Sequence, residues 1–213
     1  MPQYIVESAA PTDLVEVYAF LFSSPHPNLR QLSIEELTNR MERGVMLVAR
    51  SLVESGRPIV GACFLAESDS GGWELGGTRV LENHGHKGLA TFMAQSVIAI
   101  AFLSRMLNPE VELVGHVLVS NPDPRPLLES LGFELVKENE AIDPESLTGI
   151  AHMVSEDGLV HADTFHLSIE RCWDVVGRLE QSWEEKVESG LILADLPILS
   201  RPILRSALDH RDV

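Results

Sequence analysis

The 213-residue sequence contains little cysteine, lysine or tyrosine, and it has no long apolar run. Its two cysteines, Cys63 and Cys172, are too few for the disulfide framework of a small secreted domain. No segment approaches the roughly 18 consecutive apolar residues that a membrane span needs. The N-terminus also lacks the basic and apolar segments of a secretory signal. We therefore expect a cytoplasmic protein with no membrane partner.

Positive charge is scarce as well. Three lysines and thirteen arginines leave a formal net charge of -16. A surface this acidic repels phosphate backbones, which argues against a nucleic-acid partner. It favours cationic partners slightly, although acidity can also serve solubility alone.

The hydrophobic pattern alternates between periods of about two and about 3.6 residues, which predicts an α/β fold. Strands are predicted at 3–9, 44–54, 57–68, 73–81, 110–120, 132–138 and 162–170. Helices are predicted at 12–22, after Ser33 (where S-I-E-E forms a capping box), at 87–105 and after Asn121. Residues 139–160 are acidic and are predicted to form a loop, with a turn at Asp157-Gly158.

The last 44 residues differ from the rest of the chain. Beyond residue 169 an amphipathic helical stripe runs into the apolar segment "LILADLPILSRPIL". Such a segment is not expected to lie free in water. We predict a domain over 1–169 and a C-terminal helical extension over 170–213. The extension packs either on that domain or on a partner subunit, as in a homodimer.

The stretch "ENHGHKGLATFM" (82–93) marks one candidate binding site. A predicted strand runs into a glycine-containing loop and then into a helix, whose first backbone N–H groups have no partner within the helix. Gly85 and Gly88 would let an anion approach the backbone, and Lys87 could add a positive charge. The segment lacks the Walker lysine-hydroxyl pair and the three-glycine dinucleotide spacing.

The same stretch has a second reading through its spacing. Gly88-x-Ala90 matches half of the motif Arg/Gln-x-x-Gly-x-Gly/Ala, and Val80 stands eight residues before Gly88. Further along, Asn121 is followed by Gly132-Phe133 at a distance of eleven residues. The two motifs, in this order, resemble the GNAT-type N-acetyltransferase superfamily. The order of elements from residue 3 to about 169 is similar as well.

The resemblance implies an α/β fold with a mixed, mostly antiparallel central sheet flanked by helices. It implies that acetyl-CoA, or another acyl-CoA, lies in a splayed cleft between two central parallel strands. The cofactor site would have three parts. Val80 would lie at the end of the preceding strand, and the side chain of Asn121 would contact the pantetheine arm. The pyrophosphate would be held by the backbone N–H groups of the loop, from His86, Lys87, Gly88, Leu89 and Ala90. A primary amine, from a small molecule or a peptide, would attack the thioester directly.

Two positions depart from the family pattern. Gly85 stands where the family has arginine or glutamine, so one side-chain contact to the pyrophosphate is missing. Leu128 stands seven residues after Asn121, where many members have a tyrosine that protonates the leaving thiolate. Another acid, solvent, or a non-catalytic acyl-CoA-binding or interaction role would each account for this departure.

Three residues are candidates for the catalytic base. Glu74 lies on the fourth strand, where the family often places a base that acts through water. Glu82 lies at the entrance of the loop. His116 lies on the strand before Asn121 and has a suitable ordinary pKa, although a histidine in such a strand is more often a core residue bonded to the backbone.

No metal site is expected. His84 and His86 stand two residues apart on the loop, and no further cysteine or acidic residue completes a ligand set at a recognisable spacing. Both histidines are expected to face solvent or to assist phosphate binding.

A minor alternative rests on "WELGGTR" (73–79), which is similar to a strand of the acyl-homoserine lactone synthases, enzymes of the same fold. Two additional residues interrupt that match, and the element from Asn121 to Phe133 favours the N-acetyltransferases.

Overall fold

The computed structural model describes residues 1–22, 29–67, 72–107, 113–144 and 153–211. Its strands are β1 (Tyr4–Ser8), β2 (Met46–Ser51), β3 (Ile59–Glu67), β4 (Trp73–Val80), β5 (Leu113–Leu118), β6 (Glu134–Ile142), β7 (Val160–Leu167) and β8 (Ile192–Asp195). Its helices are α1 (Leu14–Phe22), α2 (Ile34–Glu42), α3 (Leu89–Leu103), α4 (Arg125–Ser130), α5 (Ile169–Trp183) and α6 (Arg201–Asp209). Short 3₁₀ turns span Pro11–Asp13 and Glu82–His84, and a π-helical turn spans Glu184–Glu188.

The strands form one mixed sheet in the order β6-β7-β5-β4-β3-β2-β1-β8. Five neighbouring pairs are antiparallel, and two, β4 with β5 and β1 with β8, are parallel. The mixed, mostly antiparallel sheet flanked by helices is thus confirmed. The parallel pair at the centre lets α3 cross between β4 and β5, as parallel neighbours require a long connection.

Two apolar clusters cover the two faces of the sheet. One joins α3 and α5 to β3 and β4, and the other joins α1 and α2 to the opposite face of β3. Eleven of the residues of α3 are buried, because the helix lies between the sheet and α5. Truncating one of them, Phe92, to alanine would cost about 3–5 kcal/mol of stability. Burial on both sides holds the N-terminus of α3 rigidly against the sheet.

Several predicted boundaries agree with the structure and others shift for local reasons. The capping box at Ser33 forms: its Oγ accepts the N–H of Glu36 at 3.1 Å, and the Glu36 carboxylate accepts the N–H of Ser33 at 2.7 Å. Helix α3 begins at Leu89, not at residue 87, because Gly88 has a left-handed backbone with φ 75°. It ends before Arg105, which has φ 59°.

The prediction of a loop over 139–160 was wrong for its first four residues, which belong to β6, and for Val160, which begins β7. Strand β6 continues to Ile142, paired with β7. Its pairing register shifts twice, between Leu135 and Lys137 and between Lys137 and Glu140. Such bulges interrupt the alternation on which strand prediction depends. Residues 145–152 lie outside the described residues, and the turn at Asp157-Gly158 forms, with the Gly158 N–H donating to the Ser155 carbonyl at 3.0 Å.

The C-terminal segment packs against the rest of the chain. Ser168 caps α5, so residues 168–170 are not part of a strand. The hydrophobic stripe of α5 is buried against α3. Strand β8 then adds to the sheet edge beside β1, with Tyr4 opposite Ile192, an element that the purely helical prediction lacked. Within the described residues, no helix has both the length and the apolar character to cross a membrane.

Candidate functional site

The central strands β4 and β5 are joined only at their first residues. Trp73 is paired with Leu113 and Glu74 with Val114, and no further register is formed along the two strands as described. The strands therefore diverge toward their carboxyl ends. The opening lies where ligands bind in open α/β sheets, outside the carboxyl ends of parallel strands.

A bulge in β4 shapes one wall of this opening. The register with β3 changes so that Cys63 faces both Gly77 and Thr78. Gly77 has φ 59°, and a Cβ there would lie 1.8 Å from the ring of Phe64. Only glycine fits this position, for both its conformation and its space. A bulge leaves backbone groups outside the ladder, and here they lie beside the cleft.

The loop before α3 carries a run of free backbone donors. Within the described part of the chain, the N–H groups of residues 86–91 make no hydrogen bond. The first intrahelical bond is donated by Phe92 to the carbonyl of Gly88, at 2.9 Å. Unpaired N–H groups and the positive end of the helix dipole favour an anion here.

The side chains of this loop are arranged differently from the prediction. The Nζ atom of Lys87 donates to the hydroxyl of Tyr4 at 2.6 Å, so its charge is directed to β1. His84 is buried, with Nδ1 3.2 Å from the Tyr4 hydroxyl and Nε2 3.0 Å from a carboxylate oxygen of Glu54. His86 is exposed, with φ 58°. We expected both histidines to face solvent or to assist phosphate binding; His84 is buried and does not face solvent, whereas His86 does.

A cavity of about 560 Å³ occupies the space between the diverging strands. At one end it is lined by Val80, Ala90 and Asn121, next to the free N–H groups. It continues past the bulge to Glu74 and His116. Five of the predicted site residues therefore line one cavity, although they come from four separate parts of the chain. Leu89 is buried and can contribute only its backbone N–H.

Glu74 and His116, predicted separately, form a pair. The Oε1 atom of Glu74 lies 3.1 Å from Nδ1 of His116. Burial lowers the pKa of His116, but the hydrogen bond and the negative charge of Glu74 outweigh it, and the pKa is raised above its ordinary value of 6.5. Glu140 adds to this rise and Lys137 opposes it. A hydrogen-bonded carboxylate and imidazole can accept a proton and stabilise the resulting imidazolium.

Of the remaining residues singled out in the sequence, one lies outside the cavity and two line it. Glu82 is exposed in the 3₁₀ turn and does not line the cavity. The Asn121 side chain lines the cavity and has no hydrogen-bond partner in the portion of the chain described here. Leu128 lines the cavity and packs on Gly115, where a Cβ would lie 2.9 Å from its methyl group. The position of the expected tyrosine is therefore filled by an alkyl group.

The sequence did not predict two features of the site, the bulge at Gly77 and the position of Lys186. The bulge at Gly77 gives only a weak signal, a Gly-Gly pair inside a strand pattern. Lys186, from the π-helical turn after α5, lies against Gly88: its Cε is 3.1 Å from the place that a Cβ of Gly88 would take. No spacing rule connects residues 98 positions apart in the sequence.

Comparison with known proteins places this arrangement in a structural context. No protein-family model matches the sequence, and no curated protein matches it significantly. Solved structures do match. One is the NatC complex bound to Gag peptide and CoA, with a TM-score of 0.57 and 11% identity over 78% of this chain and 98% of the other. Another is an acetyltransferase of the GNAT family from Streptococcus pneumoniae, with a TM-score of 0.57 and 15% identity over 78% and 99%.

A third match is the ribosomal-protein-S18-alanine N-acetyltransferase from Escherichia coli, with a TM-score of 0.53 and 17% identity over 78% of this chain and 94% of the other. At identities this low, the structural likeness establishes the fold alone. The chain has the acyl-CoA N-acyltransferase fold of the GNAT N-acetyltransferases, as the paired motifs predicted.

Proposed function

We propose that this protein transfers an acetyl or other short acyl group from acyl-CoA to a primary amine, by direct attack of the amine on the thioester. One observation carries the proposal. One cavity is lined both by Ala90, which belongs to the run of free N–H groups at residues 86–91, and by the Glu74–His116 pair. An anion-binding end and a proton-accepting end in one cleft are what such a transfer requires.

At the anionic end, the loop N–H groups hold the pyrophosphate of the acyl-CoA substrate. Gly88 suits this role because its left-handed backbone turns the chain into the helix and leaves no side chain over the donors. The free amide of Asn121 hydrogen-bonds the pantetheine arm, and Val80 packs beside it. These contacts fix the thioester inside the cleft.

At the other end, His116 accepts a proton from the amine. An alkylammonium has an ordinary pKa near 10, so it must lose a proton before it can attack. Neutral His116 takes that proton, and Glu74 stabilises the imidazolium through the 3.1 Å contact. Because the pKa of His116 is raised, the pair is a stronger base than a free histidine. Glu74 thus acts through His116, which refines its predicted role as the first base.

The neutral amine nitrogen then forms a bond to the thioester carbonyl carbon. A backbone N–H at the β4 bulge donates a hydrogen bond to the resulting oxyanion. As the carbon–sulfur bond breaks, the electron pair leaves with sulfur and the nitrogen loses its second proton. Alkyl thiols have an ordinary pKa near 8.5, so a thiolate can leave and take up this proton without a dedicated acid. Leu128 is compatible with such a mechanism.

The acceptor is a primary amine of a small molecule or a peptide. Among the matching structures, the NatC complex is bound to a Gag peptide, and another match is a chimera of spermidine N-acetyltransferases from Vibrio cholerae and hSSAT. The cavity wall carries both signs of charge, since Glu74, Asp123 and Arg79 all line it. The cleft is thus suited to an acceptor with polar groups beside its amine.

A non-catalytic acyl-CoA-binding module is the second candidate, and Leu128 is the observation that favours it. Such a module would keep the phosphate-binding end and would have no need of a proton acceptor. The Glu74–His116 pair favours the enzyme, because a carboxylate hydrogen-bonded to an imidazole supplies a proton acceptor, for which a module that only binds acyl-CoA has no use.

The test is amine-dependent release of free thiol from acetyl-CoA, measured across a panel of polyamines, amino acids and peptide N-termini. The enzyme hypothesis predicts a rise in thiol and an acceptor mass increased by one acetyl group for at least one class. Binding of acetyl-CoA without turnover on any amine would replace it with the binding module. The absence of binding would overturn both.

A further inference from the structure

We propose that the C-terminal segment supplies the cation of the phosphate-binding site, through Lys186. The proposal rests on the proposed function, since it names the residue that replaces the side-chain contact missing at Gly85. It also assigns the segment after residue 169 a part in cofactor binding.

The geometry places Lys186 at the binding loop. Its Cε and Nζ atoms lie 3.1 and 3.3 Å from the place of a Cβ on Gly88. Gly88 is the N-cap of α3, and it stands within the run of free N–H groups at 86–91. An ammonium here and the free N–H groups can contact the same phosphate oxygens.

The charge of Lys186 is not neutralised by the residues around it. Among the described residues it has no hydrogen bond or ion pair, although Glu184 and Glu188 belong to the same turn. Both of these carboxylates accept from the guanidinium of Arg201, each at 2.6 Å. Arg201 thus engages these two carboxylates, and neither of them pairs with the ammonium of Lys186.

The position of the turn is fixed from several sides. Trp183 packs on Phe92 of α3 with ring centroids 5.8 Å apart, and the Ser182 hydroxyl donates to the Gln95 side chain at 2.9 Å. After the turn, the N–H of Leu191 donates to the carbonyl of Lys186 at 2.9 Å. The π-helical turn therefore holds Lys186 between two anchored elements, α5 and β8. Turns of this kind are rare and occur often at functional sites.

The two alternatives closer in sequence are less suited to the role in the same structure. Lys87, the predicted cation, donates to the Tyr4 hydroxyl at 2.6 Å and lies over its ring. Gly85 has no side chain. Of the chain's three lysines, Lys137 is bound to Glu140 on β6. Lys186 is the remaining lysine, and it lies at the loop.

The experiment compares two ligands by calorimetry on the full chain: acetyl-CoA, and S-acetylpantetheine, which lacks the pyrophosphate together with the 3′-phosphoadenosine. The variant Lys186→Gln should bind acetyl-CoA about tenfold more weakly, the size expected for loss of one charge-assisted contact. Its affinity for S-acetylpantetheine should not change. Lys186→Arg should restore most of the affinity for acetyl-CoA.

The matched control is Arg211→Gln. It removes one positive charge from the same segment, at a side chain that contacts Asp174 of α5. Asp174 lies one helix length before Lys186, roughly 18 Å away at the rise of an α-helix. It should leave both affinities unchanged. Thermal unfolding of each variant verifies that the fold is retained.

Equal affinity of wild type and Lys186→Gln for acetyl-CoA would overturn the role of Lys186 and leave the proposed function standing. An equal loss with both ligands would also overturn it, since that pattern indicates a general disturbance of the cleft. If wild type itself fails to bind acetyl-CoA, the proposed function fails, and the role of Lys186 fails with it.

Discussion

Nδ1 of His116 on β5 lies 3.1 Å from Oε1 of Glu74 on β4, at the point where the two strands begin to separate. Glu74 is opposite Val114, and His116 is two residues further along, on the same face of its strand. The pair thus bridges the strands at the inner end of the cleft. This position is the basis for its proposed role as the proton acceptor.

The variant Glu74→Gln tests this pairing. We expect kcat to fall about 100-fold, because the imidazolium loses its counter-charge. The acid limb of the pH–rate profile should move to lower pH, because burial, which lowers the pKa of His116, would no longer be outweighed by the carboxylate. Glu138→Gln is the control, since Glu138 is an exposed residue of β6 that does not line the cavity. A reduced rate with an unmoved profile would contradict the role of the pair.

The same pair should affect stability in a pH-dependent way. The pKa of His116 is raised above 6.5 in the folded state, so folding favours the protonated form. The resulting stabilisation is fully present below pH 6.5 and is lost as the pH rises through the raised pKa. Compared with wild type, His116→Gln should therefore lose more free energy of unfolding at acidic than at alkaline pH. Urea unfolding at several pH values measures this difference. In the Glu74→Gln background the pH-dependent part should largely disappear, and its persistence there would show another partner.

Gly77→Ala tests the bulge in β4. A Cβ would lie 1.8 Å from the Phe64 ring, in addition to the strain of a positive φ. We expect a loss of about 3 kcal/mol or more, as for overpacking combined with an incompatible backbone. Gly56→Ala is the matched control, because Gly56 also has a positive φ but open space around it, and it should lose only about 1 kcal/mol. Equal losses in denaturant unfolding would show that the Phe64 contact is unimportant.

Gly88→Glu tests the anion site. The substitution places a carboxylate among the free N–H groups and brings side-chain atoms against Lys186. Acetyl-CoA binding should be abolished through like-charge repulsion and loss of backbone approach. Gly44→Glu serves as the control. Gly44 has φ 69° with nothing within 4 Å, so this variant adds the same charge at a similarly strained backbone, away from the loop. Unchanged affinity in Gly88→Glu would remove the pyrophosphate from this loop.

Local chemistry made part of this molecule predictable. Ser33 before Glu36 is a pattern with a direct backbone cause, and Ser33 caps its helix as predicted. The glycine-containing loop before an apolar run located the start of α3 to within two residues. The spacing from Asn121 to Gly132-Phe133 indicated the fold because it encodes a strand, a short helix and a second strand.

The features that the sequence did not predict depend on contacts between residues far apart in the chain. Glu74 and His116 were each predicted as a base, but their contact depends on the register of β4 with β5, which no local pattern encodes. Lys87 was predicted to face the anion, yet the Tyr4 hydroxyl holds it. Strand β8 was missed because its four residues pair only with β1, nearly the whole chain away. Lys186 reaches Gly88 only because α5 packs along α3.

The most direct test of the central claim is calorimetric titration of acetyl-CoA into the wild-type protein, with S-acetylpantetheine as the comparison ligand. If the N–H groups of residues 86–91 hold the pyrophosphate, acetyl-CoA should bind with micromolar affinity and clearly more tightly than the ligand without phosphate. No heat of binding at millimolar acetyl-CoA, or equal affinity for the two ligands, would contradict the account. The loop before α3 would then be only the start of a helix.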